Sequence, residues 1–320
     1  MPRSPSFPGI AVRGARCAAL SIVLPVLLLW PGAGAAVAQP RPDVEFTELR
    51  PGALLVRVVS PDGSRLGANM VVLATESGTV LVDTNLPHPQ LARLVRRAVE
   101  DRVGALSAVV VTHWHPDHSG GIEAYADLPV YAHAGTIRRL SEETVGVDLG
   151  RLGGRFTSPP RTPEGRPDHA ADEGERLAGG ALVLHHPANA HTDGDLYVEW
   201  PERNLVVMAD LLWPGRFPSV DVHNGGTAAG LRDAVREVLR LGDEDTLYVP
   251  GHGDPTARAA VEAYSDMLER TIDVVNQRAA DGDPLDEIVA DGPLSGWGKW
   301  AHALVPERQW IKLIYLSRSD

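Results

Sequence analysis

Cysteine is nearly absent from this chain of 320 residues: Cys17 stands alone. One thiol excludes an intrachain disulfide framework and any metal site built from several thiolates. Basic residues are in deficit, 30 Lys and Arg against 42 Asp and Glu, for a net charge of −12. This argues against a nucleic-acid partner, because phosphate binding needs a basic footprint. Only one long apolar run occurs, which excludes a polytopic membrane protein. Three enzymatic signatures are also missing: the G-x-S-x-G nucleophile elbow, the G-x-G-x-x-G dinucleotide fingerprint and the Walker phosphate loop. What remains is globular. With 43% hydrophobic residues, the chain has ample apolar surface for a core.

The single apolar run has the layout of an export signal. Arg3, Arg13 and Arg16 precede it with no acid nearby, and Cys17 to Trp30 supply 14 mostly apolar residues. That is short for a membrane span, which takes ~20. Pro31 and Gly32 break the run, and Ala36-Val37-Ala38 offers a cleavage site. The expectation is a signal peptide over residues 1–38 and a single domain over 39–320. The mature protein would be periplasmic or secreted, with no stable membrane anchor. Removing three arginines and no acid takes the net charge from −12 to −15 and removes the only cysteine. A cysteine-free chain suits an oxidising compartment.

In the mature chain, Ala53–Val59, Met70–Ala74, Gly78–Asp83, Ala108–Val111 and Pro129–His133 read as strands. Gln90–Val103 has helical spacing through Leu91, Leu94, Val95 and Val99. Ser158–Gly174, rich in proline and charge, reads as a surface loop, either a lid over a site or a tolerated insertion. Further strands are expected at Ala181–His185, Asp195–Trp200, Asn204–Met208 and Leu247–Val249, with a helix over Gly226–Leu241. A helical extension fills about 257–320: Ala257–Ala280, then Asp283–Val289 and Arg308–Leu316. Two strand-rich halves, each followed by helices, suggest two sheets covered outside by helices.

The chemistry concentrates at strand ends. Thr112-His113-Trp114-His115-Pro116-Asp117-His118 follows the apolar strand directly, with three His and one Asp within six residues. In a loop, His113 and His115 can bind one metal while Asp117 and His118 turn to a second. Imidazole and carboxylate are good zinc donors. Three more donors follow at element ends: His191, Asp210 and His252. His185 and His186 are adjacent, so on a strand they face opposite sides and at most one could approach the site.

On these residues the chain resembles the metallo-β-lactamase superfamily. The first cluster fits the family's H-x-H-x-D-H pattern, and His191, Asp210 and His252 fall in its order. The resemblance implies a four-layer αββα sandwich holding two Zn²⁺. One zinc would take His113, His115 and His191. The other would take Asp117, His118 and His252, with Asp210 bridging. Asp83, in V-L-V-D-T, resembles the family's acid behind the ligands; its alternative is a plain strand-end turn residue. The implied activity is hydrolysis of a small-molecule ester, lactone or amide. A hydroxide held between the zincs would attack the carbonyl, with Asp117 orienting it and moving its proton. Asp at 210, where family β-lactamases commonly carry Cys, is more like the thioesterase, lactonase and phosphodiesterase branches. The alternatives are β-lactam hydrolysis and a one-iron persulfide dioxygenase. Trp213 and Phe217, just after Asp210, are either pocket walls or core. Trp297, Trp300 and Trp310 read as packing anchors.

Overall fold

Consecutive apolar residues in the N-terminal strands are buried on both sides, and this sets the layering. In the computed structural model, which describes residues 42–142, 144–145, 157–302 and 304–318, two sheets lie between helices. The first runs β1 (Asp43–Arg50), β2 (Ala53–Val59), β3 (Arg65–Thr75), β4 (Gly78–Val82), β5 (Ala108–Val110) and β6 (Val130–Ala132). A hairpin, β7 (Thr144–Val145) with β8 (Thr157–Ser158), stands apart, and β9 (His169–Ala170) closes the first sheet beside β6. The second sheet is β10 (Arg176–Leu177), β11 (Leu182–His185), β12 (Tyr197–Trp200), β13 (Leu205–Ala209), β14 (Leu247–Pro250) and β15 (Thr256–Ala257), in that order.

Strand alternation sends Leu55, Val71, Leu73, Val80 and Val82 inward to meet Leu184, Val198, Leu205 and Val207 of the second sheet. Their neighbours Leu54, Val56, Val72 and Leu81 face outward against Leu91, Val95 and Val99 of α1 (Pro89–Val103). On the far side, Val206, Met208 and Tyr248 pack on Leu231 and Val235 of α4 (Ala228–Leu241) and on Leu268 and Ile272 of α5 (Arg258–Ala280). The order is therefore helix, sheet, sheet, helix, as expected. A one-residue slip in any of these strands would exchange its two apolar sets, so register is strongly specified. Two shorter helices of the first half are α2 (Pro116–Ser119) and α3 (Ala134–Ser141). The extension ends in α6 (Leu285–Asp291) and α7 (Glu307–Leu316), packed on the same outer face. There Trp310 is fully buried and its Nε1–H donates to Thr271 Oγ1 at 2.9 Å.

Predicted and observed elements differ at β1 and at residues 158–174, and one expectation is not reached by the structure. The segment expected as a signal, residues 1–38, lies outside the described residues. β1 was not foreseen: its apolar Val44, Phe46 and Leu49 are only half-buried at the sheet edge, between exposed acids. The described part of 158–174 is not a free loop. β9 pairs parallel with β6, Ala171 is buried, and Arg161 ties the segment to Ser119 behind the first His cluster. Among the described residues, no helix is long and apolar enough to cross a membrane.

Both sheets carry a parallel pair, β4 with β5 and β13 with β14. The residues just past the carboxyl ends of these four strands include Asp83, His113, Asp210 and His252. Strand direction thus delivers donors from two sheets to one place.

Candidate metal centre

The seven donors read from the sequence are brought together in two groups. His113, His115, His191 and Asp210 form one; Asp117, His118 and His252 form the other, with ligand atoms inside each group within 4.8 Å of one another. In the first, Nε2 of His113 and Nε2 of His191 each lie 3.0 Å from Nδ1 of His115. In the second, His252 Nε2 is 3.1 Å and His118 Nε2 is 3.8 Å from Asp117 Oδ2. Asp210 turns one oxygen to each group. Its Oδ1 is 3.2 Å from His118 Nε2 and 3.6 Å from His252 Nε2, and its Oδ2 is 3.7 Å from His191 Nε2.

The fit to a metal can be tested on the polar atoms themselves. His118 Nε2 and Asp210 Oδ1 are buried without a hydrogen-bond partner among the described residues. An orphaned buried donor or acceptor costs about 1–3 kcal/mol, and more if charged. Two such atoms, 3.2 Å apart among further His and Asp donors, are the arrangement a cation resolves. The residues fit the expected zincs, whose usual donors are imidazole and carboxylate.

The opposite ring nitrogens are also committed. His118 Nδ1–H donates to Asp83 Oδ2 at 2.8 Å, and Asp83 Oδ1 accepts from Thr112 N at 2.8 Å. Asp83 thus lies behind His118, and its left-handed backbone (φ 66°) turns the carboxylate inward. Ala209, immediately before Asp210, is likewise left-handed, at φ 46°. His191 Nδ1–H donates to Ser219 O at 2.9 Å, and His115 Nε2–H to Asp221 Oδ2 at 3.0 Å. Partners of this kind fix the tautomer and aim the free nitrogen at the metal. Burial holds His113 well below its ordinary value and His191 at about 4, so both rings are neutral, the form that ligates. Burial alone would raise Asp210; the charges of His252 and His118 outweigh it and keep the carboxyl ionised.

Asp221 was missed in the sequence. It lies 106 residues from His115, in a loop with no motif, and the only signal was an acid inside the apolar run Ser219-Val220-Asp221-Val222. Asn69 was missed as well. It is buried on β3, and its Nδ2 donates to Pro250 O and Gly253 O at 2.8 and 2.9 Å, clamping the turn that carries His252. Asp221→Ala is expected to lower zinc affinity by about 10–100-fold, the usual cost of losing such a support. A zinc titration against a competing chelator measures it; unchanged affinity would mean that the His115 contact is dispensable.

Of the two expected wall residues, neither makes an open wall. Phe217 is fully buried and stacks on Trp310, with ring centroids 6.2 Å apart. The C-terminal extension claims it: Phe217 N–H donates to Trp300 O, and His302 Nε2–H donates to Phe217 O. Trp213 is buried beneath the site, its ring 5.3 Å from that of His252 and its Nε1–H on Asp210 O. His185 and His186 both stay away: His185 is held by Glu173 and Glu199, and His186 stacks on His133.

Three comparisons bear on this geometry. The sequence model of the Metallo-beta-lactamase superfamily matches residues 63–252. Lactamase-like protein aptB of Emericella nidulans is 28% identical over 184 residues, 54% of this chain and 56% of that protein. Atrochrysone carboxyl ACP thioesterase dmxR1 of Cryptosporiopsis sp. is 28% identical over 165 residues, 48% of this chain and 50% of that one. The chain thus spans about half the length of these two relatives. Among solved structures, the metallo-β-lactamase FIM-1 from Pseudomonas aeruginosa superposes with a TM-score of 0.55 at 21% identity, covering 71% of this chain and 96% of that one. At that identity the likeness speaks for the fold.

Proposed function

The chain belongs to the metallo-β-lactamase superfamily, and from that premise we propose that it is a two-zinc hydrolase cutting the acyl bond of a small ester, thioester or lactone. The observation that carries this reading is the shared carboxylate. Asp210 presents one oxygen to each of two donor groups, which a one-metal site would leave unexplained. His113, His115 and His191 would hold one zinc, and Asp117, His118 and His252 the other. Bound zinc supplies Lewis acidity for the acyl oxygen and lowers the pKa of a coordinated water to ~7.

The chain's own residues do the rest. Asp117 is the half-exposed carboxylate of the set, 3.1 Å from His252 Nε2. Its carboxylate would orient the attacking water, accept its proton and pass it to the leaving oxygen or sulfur. Trp213 closes the floor beneath His252. A cleft of about 200 Å³ opens at His252, lined by Arg57, Arg65 and Arg216. Asp254 pairs with the first two, while Arg216 is exposed and in no ion pair among the described residues. A substrate carrying a negative group beside the acyl bond suits this edge. The thioesterase name of one relative supports an acyl ester over a lactam, as does Asp at position 210. The residue 1–38 pattern supports export to the periplasm or beyond.

The test is metal analysis and turnover on one zinc-loaded sample, offered an aryl ester, an acyl thioester and a chromogenic cephalosporin. The expected result is two zincs per chain and kcat/KM of ~10⁴ M⁻¹s⁻¹ or more on the ester or thioester, with the cephalosporin far slower. Absence of bound zinc, or two zincs with no acyl substrate turned over, would overturn the reading.

A further inference from the structure

The metal loop has a second face. Behind it, between α1 and residues 160–165, lies a cavity of about 780 Å³, walled by Gly120 and Gly121 on the loop side. That volume falls within the range of small-ligand sites. Its polar lining is mostly arginine, in a chain whose net charge is −12. Arg96 is committed to Glu100 and Asp127. Arg93 and Arg97, exposed on the same face of α1, form no ion pair among the described residues. Arg161 reaches the cavity from the other wall and spends two N–H groups on the carbonyl and hydroxyl of Ser119. Burial lowers its guanidinium to about 10, and only the charge of Glu123 acts against that. Four arginines and two carboxylates, Glu100 and Glu123, line the space; with Arg96 and Glu100 paired, three arginines face Glu123 alone, beside apolar walls at Pro89, Ala92 and Pro160.

A guanidinium fork is matched to planar or tetrahedral oxyanions, and charge-assisted bonds of this kind are about twice as strong as neutral ones. We propose that this cleft is a binding site for a small organic anion, its acidic group between Arg161 and the Arg93–Arg97 pair and its apolar body against the prolines. The site is separate from the zinc donors, sharing with them only the turn Pro116–Gly121, and it stands whether or not the hydrolase reading does.

The experiment uses the full chain and two fluorescent probes of similar shape, anionic 8-anilino-1-naphthalenesulfonate and neutral N-phenyl-1-naphthylamine. The anion is expected to saturate one site, and the Arg93→Gln/Arg97→Gln double variant to weaken it about tenfold, the equivalent of one lost charge-assisted bond. The neutral probe should bind poorly to both proteins, and Arg93→Lys/Arg97→Lys should restore most of the affinity. Both positions are exposed, so the melting temperature should not move. Equal affinity of wild type and double variant for the anion, or equal affinity of the two probes, would overturn the site.

Discussion

Asp210→Ala is expected to remove zinc from both positions at once and to cut turnover by about a thousandfold or more. The reasoning is positional. Each of the other six donors belongs to one group, whereas Asp210 places Oδ1 near His118 and His252 and Oδ2 near His191. Its loss also removes the carboxylate oxygen that lies between His118 and His252, leaving them only Asp83 and Asp117. Metal assistance is worth several kcal/mol of transition-state stabilisation, and each 1.36 kcal/mol is tenfold in rate. Asp117→Ala provides the contrast, since it should empty only the group it belongs to. Zinc content and kcat/KM measured on both variants decide the matter. Normal turnover with two zincs in Asp210→Ala would remove the bridging role.

Gly251→Ala is expected to be nearly as damaging, although Gly251 offers no donor atom. A Cβ built there would sit 2.0 Å from Asp210 Oδ1 and 2.9 Å from His118 Cε1, far inside contact distance. Neither neighbour can yield easily. His118 is fixed from behind by Asp83, and Asp210 is buried. Overpacking of this sort costs about 1–3 kcal/mol of stability. The larger effect is on geometry, because a 1 Å displacement of a reacting group can cost ~100-fold in rate. A modest drop in melting temperature with a fall of about 100-fold in kcat/KM is the expected pair. Full activity would mean that Asp210 has slack which the packing does not show.

Four of the seven donors were legible because they are local: His113, His115, Asp117 and His118 lie within six residues at a strand end. The distant three were legible through a family resemblance, since His191, Asp210 and His252 carry little meaning singly. What escaped notice depends on contacts far apart in sequence. Asp221 gains its role only when its loop folds against His115, and Asn69 only when β3 meets the turn after β14. The layering was readable from strand grammar, and most helix and strand ends moved by one or two residues, while β3 begins at Arg65 rather than at Met70. β9 was not readable, because two residues give no period; its identity comes from the partner strand β6. Phe217 was ambiguous by nature, as an apolar residue beside a site serves the core or the pocket depending on what covers it. Trp310, almost a hundred residues on, does the covering.

That last contact has a bearing on the order of events during synthesis. Both backbone polar groups of Phe217 are taken by residues 300 and 302, and its ring rests on residue 310. A ribosome that has just made Asp210 has not yet made the residues that hold Phe217. Domains fold as units while chains emerge at about 5–20 residues per second. Phe217 therefore gains these partners only once residues 300–310 are made. A nascent chain stalled before residue 300 would carry the donors and their supports Asp83, Ser219 and Asp221, but not the contacts that cover Phe217.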